Sequence, residues 1–208
     1  MNEDSLRIAV SDVAKVIADP KKYRQELQAS SSQPRRFSKM QCLRLACYRY
    51  HKPNEDLESA QEYLEAMFLR NFSNTEDLAD HTQLLDQYVG EFERTGNTAI
   101  HCRERMAIVL PSDISVKVRV TGETSRIDLT DKGFAVWLIG HGFDNWDRDP
   151  RFPLLQGHYA RKLQAKIHEV SVGVFDFDVG KHESVVFSDS LVRATASKLE
   201  SALKLGFT

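Results

Sequence analysis

Carboxylates in the second half of the chain are the side chains best suited to chemistry. Asp128 ends the stretch Gly-Glu-Thr-Ser-Arg-Ile-Asp, and Asp176 and Asp178 alternate with phenylalanines. Three further aspartates share one polar loop: Asp144, Asp147 and Asp149. Carboxylate oxygens are the ligands that Mg²⁺ prefers, and metal-assisted hydrolysis of a phosphodiester needs hard ligands held together. We interpret the loop acids as solvated and the acids before Gly180 as turn formers, so neither group predicts a metal site.

Strands and a helix are predicted on both sides of Asp128. The apolar run at residues 134–139 indicates a central strand that is covered on both faces, and the Thr-Asp-Lys-Gly before it is typical of a hairpin turn. The predicted elements of this half are strands at residues 102–110, 114–121, 134–139, 169–179 and 184–187, a helix at 153–166 and a final helix from about 190.

The first half of the chain is predicted to be mainly helical. Ser38 precedes apolar residues at helical spacing, which predicts an N-cap and a helix that ends before Pro53. Two more helices are predicted at residues 56–72 and 75–94. The sequence therefore predicts one α/β domain with a small mixed β-sheet flanked by helices. Its mainly helical N-terminal part covers residues 1–97, and its α/β core covers residues 98–208.

The order of these elements resembles the core of the PD-(D/E)XK nuclease superfamily, in particular its RecB-type branch. The pattern of that branch contains Gly-x-x-Asp-Arg-apolar-Asp, then an acid and a lysine two residues apart on the next strand, then a Gln and a Tyr on the next helix. Gly122, Arg126 and Asp128 match the first motif. The resemblance implies a restriction-endonuclease-like core and a place for the active site.

The ligand positions of that pattern are replaced in this chain. Ser125 falls at the metal-binding aspartate, Trp137 at the acid and Ile139 at the lysine. Serine is a weak neutral ligand, and tryptophan and isoleucine do not bind a hard cation. Gln156 and Tyr159 resemble the Gln–Tyr pair, but they are three residues apart where the family usually has four. The resemblance therefore implies a vestigial cleft with no catalytic residue, metal or cofactor, formed by Ser125, Asp128, Trp137, Ile139, Gln156 and Tyr159.

Charge is unevenly distributed along the chain. Residues 21–52 contain nine basic side chains and one acid, which gives +8, whereas residues 54–93 contain eleven acids and one arginine, which gives −10. A basic surface neutralises nucleic-acid phosphates, and we expect such contacts from Arg35, Arg36, Lys39, Arg44 and Arg49. The alternative interpretation is that basic and acidic helices lie side by side and neutralise each other.

The composition predicts a soluble protein of the cytoplasm. Charged residues make up 28% of the 208 residues, and no apolar run reaches the ~20 residues of a membrane span. The acidic N-terminus lacks the apolar segment of a signal peptide. Three cysteines are an odd and sparse set, which indicates a reducing compartment and argues against a disulfide framework or a zinc or iron–sulfur site. We expect no membrane partner.

Three functional hypotheses follow from these observations. The first is a catalytically silent nuclease-like subunit that binds DNA, a partner nuclease or a helicase in DNA repair, recombination or defence against foreign DNA. The second is an active Mg²⁺-dependent DNA nuclease with a relocated site that uses Asp128 and neighbouring acids. The third is a protein-interaction adaptor without nucleic-acid contact, whose charged halves face a partner or each other.

Overall fold

The computed structural model describes residues 6–29, 37–109 and 118–207, and its centre is a mixed six-stranded sheet. The strands are β1 (Leu6–Ala9), β2 (Thr98–Val109), β3 (Val118–Thr130), β4 (Gly133–Gly140), β5 (Val170–Asp176) and β6 (Lys181–Val185). The α-helices are α1 (Val13–Ala18), α2 (Pro20–Ala29), α3 (Lys39–Tyr50), α4 (Leu57–Asn71), α5 (Leu78–Thr95), α6 (Arg151–Lys162) and α7 (Asp189–Phe207). The predicted α/β class is confirmed.

The sheet combines antiparallel and parallel pairing. β2, β3 and β4 form an antiparallel meander, α6 then crosses over, and β5 pairs with β4 in parallel. β6 returns antiparallel to β5, and β1 pairs in parallel with the first part of β3. Because β1 and β4 lie on one side of β3, β2 occupies the other side as an edge strand.

The element bounds differ most from the prediction at β3. We expected a strand at residues 114–121 followed by a connecting stretch, but residues 122–128 lie inside β3, and residues 110–117 lie outside the described part of the chain. The difference has a physical reason. Thr124, Arg126 and Asp128 are buried polar residues, so the second half of β3 does not show the apolar alternation of a strand.

The sheet separates two apolar cores. One core lies against α1, α6 and α7 and includes Val136, Val172 and Leu155, which are almost fully buried. The other lies against α3, α4 and α5 and includes Ile139 and Phe175. Strand β4 therefore supplies alternate residues to both cores, which explains why its sequence is apolar on both faces.

Helix α3 begins at the predicted N-cap. The Ser38 hydroxyl accepts a hydrogen bond from the backbone N–H of Gln41 at 3.2 Å, and the Gln41 side chain accepts one from the N–H of Ser38 at 2.8 Å. This reciprocal capping box fixes the start of the helix and hence the direction in which its basic residues point.

Two glycines, one in the sheet and one in a helix, test how tightly the sheet is packed. A Cβ at Gly173 on β5 would lie 2.2 Å from the Glu183 carbonyl oxygen and 2.7 Å from the Trp137 ring. Gly173→Ala should therefore lower the free energy of unfolding by about 1–3 kcal/mol, because a strand or the indole must move.

The control is Gly90→Ala in α5, where an added Cβ meets nothing within 4 Å. That substitution should raise the free energy of unfolding by about 0.5–1 kcal/mol, because alanine is the better helix former. Urea unfolding followed by circular dichroism measures both variants. Wild-type stability of Gly173→Ala would contradict the described packing.

Candidate functional site

An ion pair occupies the middle of β3 where the sequence pattern places a vestigial cleft. Arg126 Nε lies 2.7 Å from Asp128 Oδ1, and Arg126 Nη2 lies 2.9 Å from Asp128 Oδ2. Neither side chain is exposed to solvent. This is the bidentate geometry in which a guanidinium binds a carboxylate most specifically.

Further side chains extend the hydrogen bonding of this pair. Arg126 donates to the Tyr88 hydroxyl of α5 and, at 2.9 Å, to Nε2 of His182 on β6. The Trp137 indole N–H donates to Asp128 at 2.8 Å. The set that we call the arginine cluster consists of Arg126, Asp128, Tyr88, Trp137, His51 and His182. It joins β3, β4 and β6 to the helical layer.

The protonation of both histidines follows from their partners. A guanidinium only donates, so Nε2 of His182 must accept from Arg126. Nε2 of His51 lies 3.5 Å from Nη1 of Arg126, so it is also an acceptor, and the Tyr88 hydroxyl, 2.6 Å away, donates to it. Burial, with a further contribution from the Arg126 charge, lowers the pKa of each histidine to about 3. Both rings are neutral near pH 7.

The carboxylate of Asp128 is fully engaged. Its two oxygens accept from Arg126 and Trp137, and Asn97 also bonds to it. Burial raises the pKa of Asp128, and the Arg126 charge and these hydrogen bonds oppose the rise. A cation at Asp128 would have to displace Arg126, so this site has no free ligand for a metal.

The other predicted cleft residues divide between two places. The Ser125 hydroxyl accepts from the Ile139 backbone N–H at 2.9 Å, so these two lie together near the arginine cluster. Gln156 instead bonds the backbone N–H and C=O of Phe187 and the C=O of Ile167, and thereby holds α6 in place. The Tyr159 hydroxyl lies 2.7 Å from Thr124 in the opposite core. The six residues therefore do not line one cleft.

A local irregularity in β3 produces this division. Thr124 contacts α6, whereas Arg126, an even-numbered residue that regular pleating would place on the same face, contacts α5. Ser125 bonds Tyr48 of α3, so Ser125 and Arg126 are consecutive and both meet the helical layer. On β2, Arg103 lies between the residues that pair with Thr124 and Arg126, and its φ of 56° lies in the left-handed region.

The predicted nucleic-acid contacts have different environments. Arg35 and Arg36 lie outside the described residues. Lys39 pairs with Asp77 at 2.6 Å, and Arg49 pairs with Glu55. Arg44 has no ion-pair partner in the described part of the chain. Helix α3 also packs against α4 and α5, so part of its positive charge faces acids of this chain.

A groove between α3 and the edge strand β2 collects the remaining positive charge. It consists of two cavities of about 550 Å³ and 300 Å³, which share Leu45, Tyr48 and Arg103. Four cationic side chains line this α3–β2 groove: Arg44, Arg49, Lys52 and Arg103. Glu123 is the acid in its lining, and it pairs with Arg103. The sequence analysis did not select Arg103, because its closeness to α3 depends on the pairing of β2.

Potential metal ligands also meet at the carboxyl ends of β4 and β5. His141, Asp176 and Asp178 place one ligand atom each within 4.8 Å of one another. Asp178 accepts from His141 and from the Gly142 N–H, while Asp176 accepts from two backbone N–H groups. These bonds fasten the loop after β4 to β5, as expected for turn-forming acids.

No protein-family model matches the chain, and no curated protein matches it. The resemblance to the PD-(D/E)XK superfamily therefore stays a hypothesis that rests on element order and degenerate motifs. Among the described helices, none combines the length and the apolar character that crossing a membrane requires.

Removing one partner of the buried Arg126–Asp128 ion pair should lower the stability of the fold strongly. Arg126→Met should lower the free energy of unfolding by about 3–5 kcal/mol, because Asp128 would stay buried without a partner. The double variant Arg126→Met, Asp128→Leu should lose less than the single variant, because it buries no lone charge. Urea unfolding measures both, and a single-variant loss below about 1 kcal/mol would indicate a solvent-exposed pair instead.

Because both histidines are neutral in the folded protein, the free energy of unfolding should fall as the pH is lowered. Each histidine has a folded-state pKa of about 3, below the ~6.5 of an unfolded chain, so its contribution is complete above pH ~6.5 and is lost as pH falls toward 3. Each histidine should contribute up to about 1.4 kcal/mol per pH unit to this loss. Unfolding midpoints measured from pH 7 to 5 should depend less on pH in His182→Gln. His168→Gln, which changes an exposed histidine outside the cluster, should keep the wild-type dependence.

Proposed function

We propose that this chain is a catalytically silent, nuclease-like subunit that binds DNA. The observation that carries the proposal is the bonding of Asp128, the acid retained from the nuclease pattern. Its oxygens accept from Arg126 and Trp137 and offer no free ligand to a metal ion. The positions where the nuclease pattern has its metal-binding aspartate and its second acid hold Ser125 and Trp137 instead. The β2–β3–β4 meander, the α6 crossover and the parallel β5 support the family resemblance, since they follow the same order.

The α3–β2 groove supports the binding part of the proposal. Its cations outnumber its acids, and Arg44 and Lys52 are not neutralised by an ion pair in the described part of the chain. Clustered Lys and Arg side chains attract phosphates and release counterions from them. A silent subunit of this kind would act in the cytoplasm, in DNA repair, recombination or defence, beside a nuclease or helicase that performs the chemistry.

A second candidate function is an adaptor that contacts only protein. The Lys39–Asp77 and Arg49–Glu55 ion pairs favour it, because two side chains that were predicted to contact phosphate are paired with acids of the same chain. On this hypothesis the charge segregation stabilises the packing of α3 against α4 and α5. DNA binding would then be absent even at low salt.

Fluorescence anisotropy with labelled DNA tests the proposal. We expect binding that weakens with salt, with a log–log slope of about −0.9 for each phosphate neutralised on a duplex or −0.7 on a single strand. The double reversal Arg44→Glu, Lys52→Glu should weaken binding at least tenfold. The double reversal Arg193→Glu, Lys198→Glu, which changes two exposed cations on α7 on the other side of the sheet, is the charge-matched control. No binding at low salt would favour the adaptor.

The same samples test catalytic silence. Incubation with Mg²⁺ or Mn²⁺ followed by gel electrophoresis should leave the DNA intact, because Asp128 has no free oxygen for a metal. Cleavage that is lost in a folded Asp128→Asn variant would instead support a nuclease with a relocated Mg²⁺ site. Circular dichroism of the variant establishes that it is folded.

A further inference from the structure

We infer that the α3–β2 groove binds a single nucleic-acid strand rather than a duplex. This inference rests on the proposed DNA binding and specifies the form of nucleic acid that the same site takes. Three features of the groove carry it: the spacing of its cations, the composition of its floor and the free edge of β2.

The unpaired cations of the groove lie in both of its cavities. Arg44 lines one cavity and Lys52 lines the other, and neither has an ion-pair partner in the described part of the chain. Arg49 and Arg103 are already in ion pairs with acids of the chain. Arg44 and Lys52 are eight residues apart, so they can contact different phosphates of one strand that runs along the groove.

The floor of the groove is apolar and aromatic. Leu45, Tyr48 and Tyr63 line it, and Ile100 and Phe37, which are 37% and 38% exposed, lie at its two ends. A duplex keeps its bases stacked inside and would meet such a surface only with phosphates and sugars. A single strand turns its bases outward, and aromatic rings provide stacking surfaces for them. Only unpaired bases can therefore stack on the rings of this floor.

The wall opposite α3 offers backbone hydrogen-bonding groups. β2 pairs with β3 on one side, and no described strand pairs with its other side between Ala99 and Arg103. Free N–H and C=O groups at a sheet edge can bond the edges of unstacked bases without selecting a sequence. An acidic peptide would use the same cations, but it would leave the exposed Phe37 ring without a stacking partner.

The test compares three fluorescent probes at one salt concentration: a short oligothymidine, a duplex of the same length and an oligoglutamate peptide. We expect the oligothymidine to bind at least tenfold more tightly than the duplex or the peptide. Phe37→Ala should weaken oligothymidine binding about tenfold, since base–aromatic stacking has this magnitude. Leu205→Ala, which removes an exposed apolar side chain from α7, is the matched control and should bind as the wild type does.

The outcomes separate this inference from the proposed function. Duplex binding that equals or exceeds oligothymidine binding would overturn the inference and leave DNA binding in place. Oligothymidine binding that is insensitive to both Phe37→Ala and the Arg44→Glu, Lys52→Glu reversal would place the strand elsewhere and also overturn it. Failure of all nucleic-acid probes would defeat the proposed function itself, and binding of the peptide alone would replace it with the adaptor.

Discussion

The buried charge of Arg126 is the constraint on which the arrangement of this molecule depends. Removing a guanidinium from water costs several kcal/mol, so each of its donors must find an acceptor. Those acceptors come from α5, β3 and β6, and the ring of Phe92 lies 4.4 Å from the guanidinium carbon. The charge can be satisfied only when the helical layer and the sheet meet in one register. The cluster therefore specifies how the two halves of the chain dock.

The same constraint separates stability from function in this chain. Asp128 and the two neutral histidines are residue types that often perform catalysis, but here Asp128 and His182 bond Arg126, and His51 bonds Tyr88. These contacts hold the helical layer against the sheet. The proposed binding site lies instead at the periphery, in the groove where α3 approaches an edge of β2 with which no described strand pairs. Arg44 and Lys52 in this groove have no ion-pair partner in the described part of the chain, as the proposed phosphate contacts require.

Most of the fold could be predicted from helix caps and from the spacing of apolar residues. The site could not be predicted, because its polar residues are buried and follow no such spacing. The capping of α3 by Ser38 and the central position of β4 followed from local sequence. The continuation of β3 through Asp128 did not, because a strand with four buried polar residues has no apolar alternation. The separation of Tyr159 from Asp128 depends on a change of face within β3. Arg103 reaches the groove only because β2 pairs with β3, and the spacing of residues in the sequence does not reveal that pairing.

The parallel pairing of β1 with β3 has a consequence for the way the chain folds. Leu6 lies beside Val118, so the first strand of the described chain forms its ladder with a partner more than a hundred residues later. Such a contact carries a high loop-closure entropy and forms late, because everything between must first become compact. Synthesis proceeds at about 5–20 residues per second, so β1 leaves the ribosome several seconds before its partner strand β3. Its short length and the polar Arg7 limit what it can pair with in that interval.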